Sequence, residues 1–217
     1  MKKQQFGVIG LGRFGTSLAT ELYNSSHDVL AVDLNEEVVK SISPSVTYAV
    51  QADGSDIAAL KAIGISNMDV VIVALARDIS ASLLTALNAI ELGIPKIYAK
   101  AYTESHAKIL YKIGVSKVYF PETEMGQRVA LELCNDNLLE LIDLDDKHSI
   151  AEILAPSLWA GKSIAQINIR KKYGITIMLI KNKNDIIVSP SPDEIIRPDS
   201  QLLVLGEVEQ IQNLRND

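Results

Sequence analysis

The chain has 217 residues, 47% of them hydrophobic, and a single cysteine, Cys134. It is long for one domain and short for two full-sized ones, and it lacks the thiols for a disulfide framework or a thiolate metal cluster. Acidic residues outnumber basic ones by 27 to 21, giving a net charge of −6; this argues against a nucleic-acid binder, whose surface must neutralise phosphates.

The N-terminal MKKQQ runs straight into a strand-like segment with no signal-peptide core. The longest apolar run, residues 70–76, falls far short of the roughly 20 residues that span a bilayer. A soluble cytoplasmic protein of a reducing compartment is expected. Short β-branched runs predict strands at 6–9, 29–32, 47–50, 70–74, 97–100 and 117–120. Their near-continuous apolar character suits strands buried on both faces of a parallel sheet. Amphipathic segments at 13–24, 57–63, 81–92 and 104–113 predict the intervening helices, with Gly93 and Gly114 as stops. Alternating strands and helices predict an α/β, Rossmann-like doubly wound parallel sheet over residues 1–135.

The pattern then changes. Residues 122–137 read as one more helix, and the acidic stretch LLELIDLDDKHS falls in a linker assigned to 136–149. Shorter strands and polar turns follow, including a hairpin over 174–188 that turns on Asn182–Asp185. Residues 150–217 are therefore expected to form a small α+β domain. At that size a single core is marginal, so its apolar surface is expected to find a partner, most simply a second copy.

Gly10-Leu11-Gly12-Arg13-Phe14-Gly15 follows a strand and opens a helix, the context in which a G-x-G-x-x-G stretch acquires meaning. Gly10 would permit the turn, Gly12 the approach of a pyrophosphate and Gly15 close helix–strand packing. The helix N-terminus would then face the phosphates. Asp33 ends the second strand, where its carboxylate can accept ribose hydroxyls and repel a 2′-phosphate. Asp53, ending the third strand, either meets the adenine or forms a turn, and Asp56 reads as a helix cap. Arg13 either pairs with an outer phosphate or is a solvated arginine whose charge opposes the helix dipole. Lys100, at the end of the fifth strand, could face the same cleft and meet phosphate.

Little in the sequence would transform a bound nucleotide. His27, His106 and His148 are scattered and read as surface or packing residues. There is no Gly-x-Ser-x-Gly elbow, and no Walker lysine follows the glycine turn. A non-enzymatic binding protein is expected. The alternatives are an NAD(H)-dependent oxidoreductase and an NADH redox sensor without a membrane partner.

Taken together, GLGRFG, LAVDLNEE, PETEMG and RKKYGI make the whole chain resemble KtrA/TrkA-type potassium-transport regulatory subunits, with N- and C-terminal RCK domains (regulator of K+ conductance). The resemblance implies a cytosolic gating ring, an octamer built from homodimers. The ring would be held at the inner face of the cell membrane by a K+-translocating subunit of the KtrB/TrkH type. ATP and ADP, or NAD(H) in some relatives, would occupy the first domain and favour different ring shapes. Arg13 would reach across a dimer interface towards a γ-phosphate. Glu122 would lie near a Mg2+, Ca2+ or Na+ ion associated with ATP, whereas its neighbour Glu124 matches a variable position. The resemblance also implies a cyclic di-AMP groove at a C-domain dimer interface, involving Ile164, Ile167, Asn168, Ile169, Arg170, Tyr173 and Pro190 or Pro192. Read from the residues alone, these make an apolar floor with one guanidinium, or an ordinary dimer core with a solvated arginine. Lys171 departs from the small residue usual there.

Overall fold

The computed structural model describes residues 3–75, 78–134, 138–145, 147–183 and 185–214. Two compact units divide between Glu122 and Thr123.

The first unit alternates strands and helices as its periodicity requires. Its strands are β1 (Gln5–Ile9), β2 (Asp28–Asp33), β3 (Tyr48–Gln51), β4 (Val70–Val73), β5 (Lys96–Lys100) and β6 (Lys117–Tyr119). They form one parallel sheet in the order β3-β2-β1-β4-β5-β6. Successive side chains leave opposite faces of a strand, so the inner strands feed two cores. Ile9, Val71 and Val73 pack on one face with Leu60, Ala86 and Leu110. Val8, Ala31 and Ile72 pack on the other with Ala19, Val39 and Ile42.

Those partners come from the helices α1 (Arg13–Asn24), α2 (Glu36–Ile42), α3 (Ile57–Ala62), α4 (Ile79–Glu91) and α5 (Glu104–Ile113). Asn35, Asp56, Asp78 and Thr103 cap α2 to α5 by accepting backbone N–H groups. Gly114 ends α5 in the left-handed region. The doubly wound sheet is as expected, and strand ends agree to within one or two residues. α2 was not among the expected helices: only seven residues long, it offers little periodicity to read.

Helix α6 (Pro121–Cys134) follows; the expected continuation to 137 lies outside the described residues. The second unit carries β7 (Leu138–Asp143), β8 (His148–Leu154), β9 (Thr176–Lys181), β10 (Ile186–Val188) and β11 (Gln201–Glu207), with short helices α7 (Ile164–Ile167), α8 (Ile169–Tyr173) and α9 (Val208–Asn213). The sheet is antiparallel, ordered β10-β9-β11-β8-β7. Trp159, Ile175, Ile180, Ile196 and Leu202 fill its core.

The hairpin expected at 174–188 is the β9–β10 pair, where Asn182 donates its N–H to the Asp185 carbonyl at 2.8 Å; Asn184 lies outside the described residues. The stretch expected to be an irregular linker departs more. Its residues 138–143 are strand β7, paired with β8 through a register shift between Leu138 and Glu140. Its two acidic residues, Glu140 and Asp143, stand three apart and so interrupt the apolar run without giving a strand's two-residue alternation, and the register shift breaks the pattern further. Among the described residues, no helix is long and apolar enough to cross a membrane.

Candidate functional site

The sheet order reverses between β1 and β4, and in open α/β sheets the crevice at such a point is where ligands sit. Here the carboxyl ends of β1, β2, β4 and β5 surround a cleft of about 710 Å³. Gly10, Gly12, Arg13, Phe14, Gly15, Asp33, Lys100 and Glu122 all line it, so one site gathers every nucleotide-site candidate except Asp53.

The glycine turn explains itself residue by residue. Gly10 has φ 96°, a left-handed value, and a Cβ there would stand 3.1 Å from the Ala74 backbone. A Cβ on Gly15 would lie 1.9 Å from the Gly10 carbonyl oxygen, which no rotamer change relieves. Gly12 differs: a Cβ there would meet nothing of the chain within 4 Å. Its missing side chain leaves room on the cleft side. Gly12 is also the N-cap of α1 and supplies no side-chain cap, so the first-turn N–H groups remain available to an anion.

Asp33 ties the turn to the end of β2. One carboxylate oxygen accepts from the Leu11 N–H at 2.7 Å, the other from the Asn35 N–H at 2.8 Å. Each oxygen keeps a further lone pair for a hydroxyl donor. Arg13 is exposed on the first turn of α1, with no carboxylate partner among the described residues. Lys100 ends β5 with a largely buried side chain. Its ammonium donates to Glu122 Oε1 and lies 5.9 Å from the centre of the Phe14 ring. That hydrogen bond holds the Glu122 carboxyl below its ordinary value.

Asp53 is outside the cleft lining. Its Oδ1 accepts from both the N–H and the hydroxyl of Ser55, at 2.8 and 2.7 Å, and these bonds lower its pKa, the hydroxyl first. This geometry fits its reading as a turn former. Asp56 caps α3 by accepting from the Ala58 N–H at 2.8 Å, and Asn88 donates to the Ser55 carbonyl at 2.9 Å, which fixes the loop.

Ala74, Leu75 and Asp78 also line the cleft and were missed. The signal was the switch-point rule itself, which puts the segment after β4 beside the glycine turn. The histidines lie elsewhere. His27 accepts from the Gln4 N–H at 3.3 Å. Burial pushes the pKa of His106 down, and His148 pairs with Asp145 at 3.0 Å. Among the described residues, no group of three or more histidine, cysteine or carboxylate side chains could hold a metal ion.

The second unit has a groove of about 330 Å³. Ile164, Asn168, Ile169, Arg170, Pro190 and Pro192 line it, joined by Ala165, Thr176 and their neighbours, which the sequence did not single out. Asn168 stands between α7 and α8 with φ 56°, so the two short helices diverge there. Two candidates lie outside the lining. Ile167 is buried in the core, and the Tyr173 ring packs edge-on against Trp159 at 5.1 Å.

Comparison with known proteins places this geometry. The TrkA-N domain matches residues 6–121 and the TrkA-C domain residues 149–217. Ktr system potassium uptake protein A of Bacillus subtilis is 44% identical over 217 residues, covering 100% of this chain and 98% of that protein. Ktr system potassium uptake protein C of the same organism is 40% identical, covering 96% and 95%. In fold, the chain is similar to the GsuK channel bound to NAD, with a TM-score of 0.65 at 19% identity, over 96% of this chain and 38% of that one. The chain therefore belongs to the KtrA/KtrC-type potassium uptake proteins, non-enzymatic regulatory components of a K+ uptake system built from a TrkA-N and a TrkA-C (RCK) domain.

Proposed function

We propose that this protein senses adenine nucleotides and that occupancy of its first unit by ATP or ADP sets the opening of a membrane K+-translocating subunit. The observation that carries the reading is the composition of one cleft. Open backbone at Gly12 and the uncapped start of α1 suit a pyrophosphate. Asp33 suits ribose hydroxyls, and its charge disfavours a 2′-phosphate. Arg13 and Lys100 add two cations, of which Lys100 is paired with Glu122 and Arg13 has no carboxylate partner among the described residues. An outer phosphate of ATP gives Arg13 a partner, either on its own protomer or across a dimer interface. Glu122, on the rim, would hold a Mg2+, Ca2+ or Na+ ion that accompanies ATP.

Membership of the Ktr family supports a membrane partner of the KtrB/TrkH type. An octameric ring of homodimers, held against the cytoplasmic side of the membrane, is the assembly proposed. The ring responds to a nucleotide only through its differential affinity for the two ring shapes, a tenfold ratio amounting to about 1.4 kcal/mol. For the second unit we propose a cyclic di-AMP site in the groove of Arg170, Pro190 and Pro192. The guanidinium would meet a phosphate and the prolines and Ile164 would meet an adenine.

The test is thermal unfolding of the purified protein with ATP, ADP, NAD, NADH and cyclic di-AMP at equal concentrations. A ligand at about 100 times its Kd stabilises by roughly 2.7 kcal/mol, which moves the midpoint by several degrees. Shifts with ATP and ADP, and a separate one with cyclic di-AMP, are expected. A shift with NAD or NADH alone would overturn the reading in favour of a redox sensor.

A further inference from the structure

Lys100 and Glu122 form an asymmetric pair. Lys100 cannot leave the cleft: it ends β5, is in register with Tyr119 of β6, and only 12% of its side chain is exposed. A cation buried to that degree requires an anion. Glu122 supplies one, yet its own side chain is 72% exposed. Among the described residues, Lys100 and its own backbone N–H are the groups that bond its carboxylate. Swung away from the ammonium, that carboxylate returns to water at little cost, whereas the ammonium, on a side chain only 12% exposed, is left without its acceptor.

A phosphate oxygen offers Lys100 the same kind of charge-assisted acceptor with greater charge. We propose that Glu122 is a built-in phosphate surrogate, a carboxylate that holds Lys100 until the phosphates of a bound nucleotide displace it. This rests on the nucleotide reading of the cleft. Glu122 is the second residue of α6, so the exchange unties the first turn of that helix from the end of β5. Phosphate arrival thus becomes a change at the start of α6 without any movement of the glycine turn. It also separates ligands, because adenosine, having no phosphate, leaves the pair intact.

The test is calorimetric titration of the full chain with ADP and with adenosine in divalent-free buffer. Glu122→Gln removes the competing charge at constant shape. It should tighten ADP about three- to five-fold, the scale of a partly exposed ion pair, and leave adenosine unchanged. Lys100→Met should weaken ADP, and adding Glu122→Gln to that background should change nothing further. Weaker or unchanged ADP binding in Glu122→Gln overturns the proposal, as does equal tightening in the Lys100→Met background. A lower unfolding midpoint in Glu122→Gln without tighter ADP would make the pair purely structural and overturn it equally. Failure of the wild-type chain to bind either ligand would remove the nucleotide reading and this inference together. Normal binding without a gain in Glu122→Gln would remove only the inference.

Discussion

The cleft at the ends of β1, β2, β4 and β5 and the groove beside α7 and α8 are made from different parts of the chain. In the first unit the hollow is defined by main chain: a left-handed Gly10, a carbonyl packed on Gly15, N–H groups at the start of α1, and an aspartate whose two oxygens are both anchored by amides. Side chains add charge, from Arg13, Lys100 and Glu122, and apolar cover, from Phe14 and Leu75. In the second unit the walls are side chains, two prolines and several isoleucines around one arginine. A backbone site recognises the part common to many nucleotides and is intolerant of change. A side-chain groove is more easily retuned by substitution. The two units therefore suit two inputs that differ in how freely their chemistry can drift.

That contrast can be broken at several points. Gly15→Val drives a Cβ into the Gly10 carbonyl; thermal unfolding should show the first unit destabilised by about 3 kcal/mol and its response to ADP abolished. A surviving cyclic di-AMP response would keep the two inputs separate, and its loss would merge them. Asp33→Ala strands the Leu11 and Asn35 N–H groups. By calorimetry it should weaken ADP and adenosine alike, by about tenfold or more. Arg170→Ala should cost cyclic di-AMP about tenfold and leave ADP untouched; weakened ADP would refute the division. Arg13→Ala should narrow the difference between ATP and ADP by about fivefold while sparing adenosine, whereas equal losses for all three would remove it from the phosphate end.

The smallest effect concerns acid. The folded pKa of Asp53 lies below its ordinary value of 3.8 because Ser55 bonds its charged form. Its contribution to stability is full above that ordinary value and is lost as pH falls through the lower, folded one. Asp53→Asn should flatten that acid limb in pH-dependent unfolding without altering ADP affinity at neutral pH. A loss of ADP affinity would instead restore the adenine contact.

Legibility followed the same division. Gly10, Gly12 and Gly15 could be read because a turn, an open approach and a close packing contact each demand glycine, and Asp33 because strand length fixes where β2 ends. The sheet was legible because strands buried on both faces cannot hide their apolar runs. Leu75 and Asp78 were not, since no residue type is compulsory in the segment after β4. Ile167 and Ile164 are three residues apart and look equivalent in sequence, yet Ile167 is buried in the core while Ile164, packed against that core, is only partly buried and also lines the groove. Strand β7 escaped notice because a short edge strand whose acidic residues, Glu140 and Asp143, break the two-residue period resembles a solvated linker.

The placement of β7 bears on any attempt to isolate the second half of the chain. The TrkA-C match begins at residue 149, and a fragment cut there would lack the strand that pairs with β8 from Ser149 to Ile153. The amides and carbonyls on that side of β8 would stand open as a template for other chains. Such a fragment is expected to self-associate through a newly made edge, in stacks with no counterpart in the intact protein. A fragment begun before Leu138 keeps the edge capped by the protein's own strand.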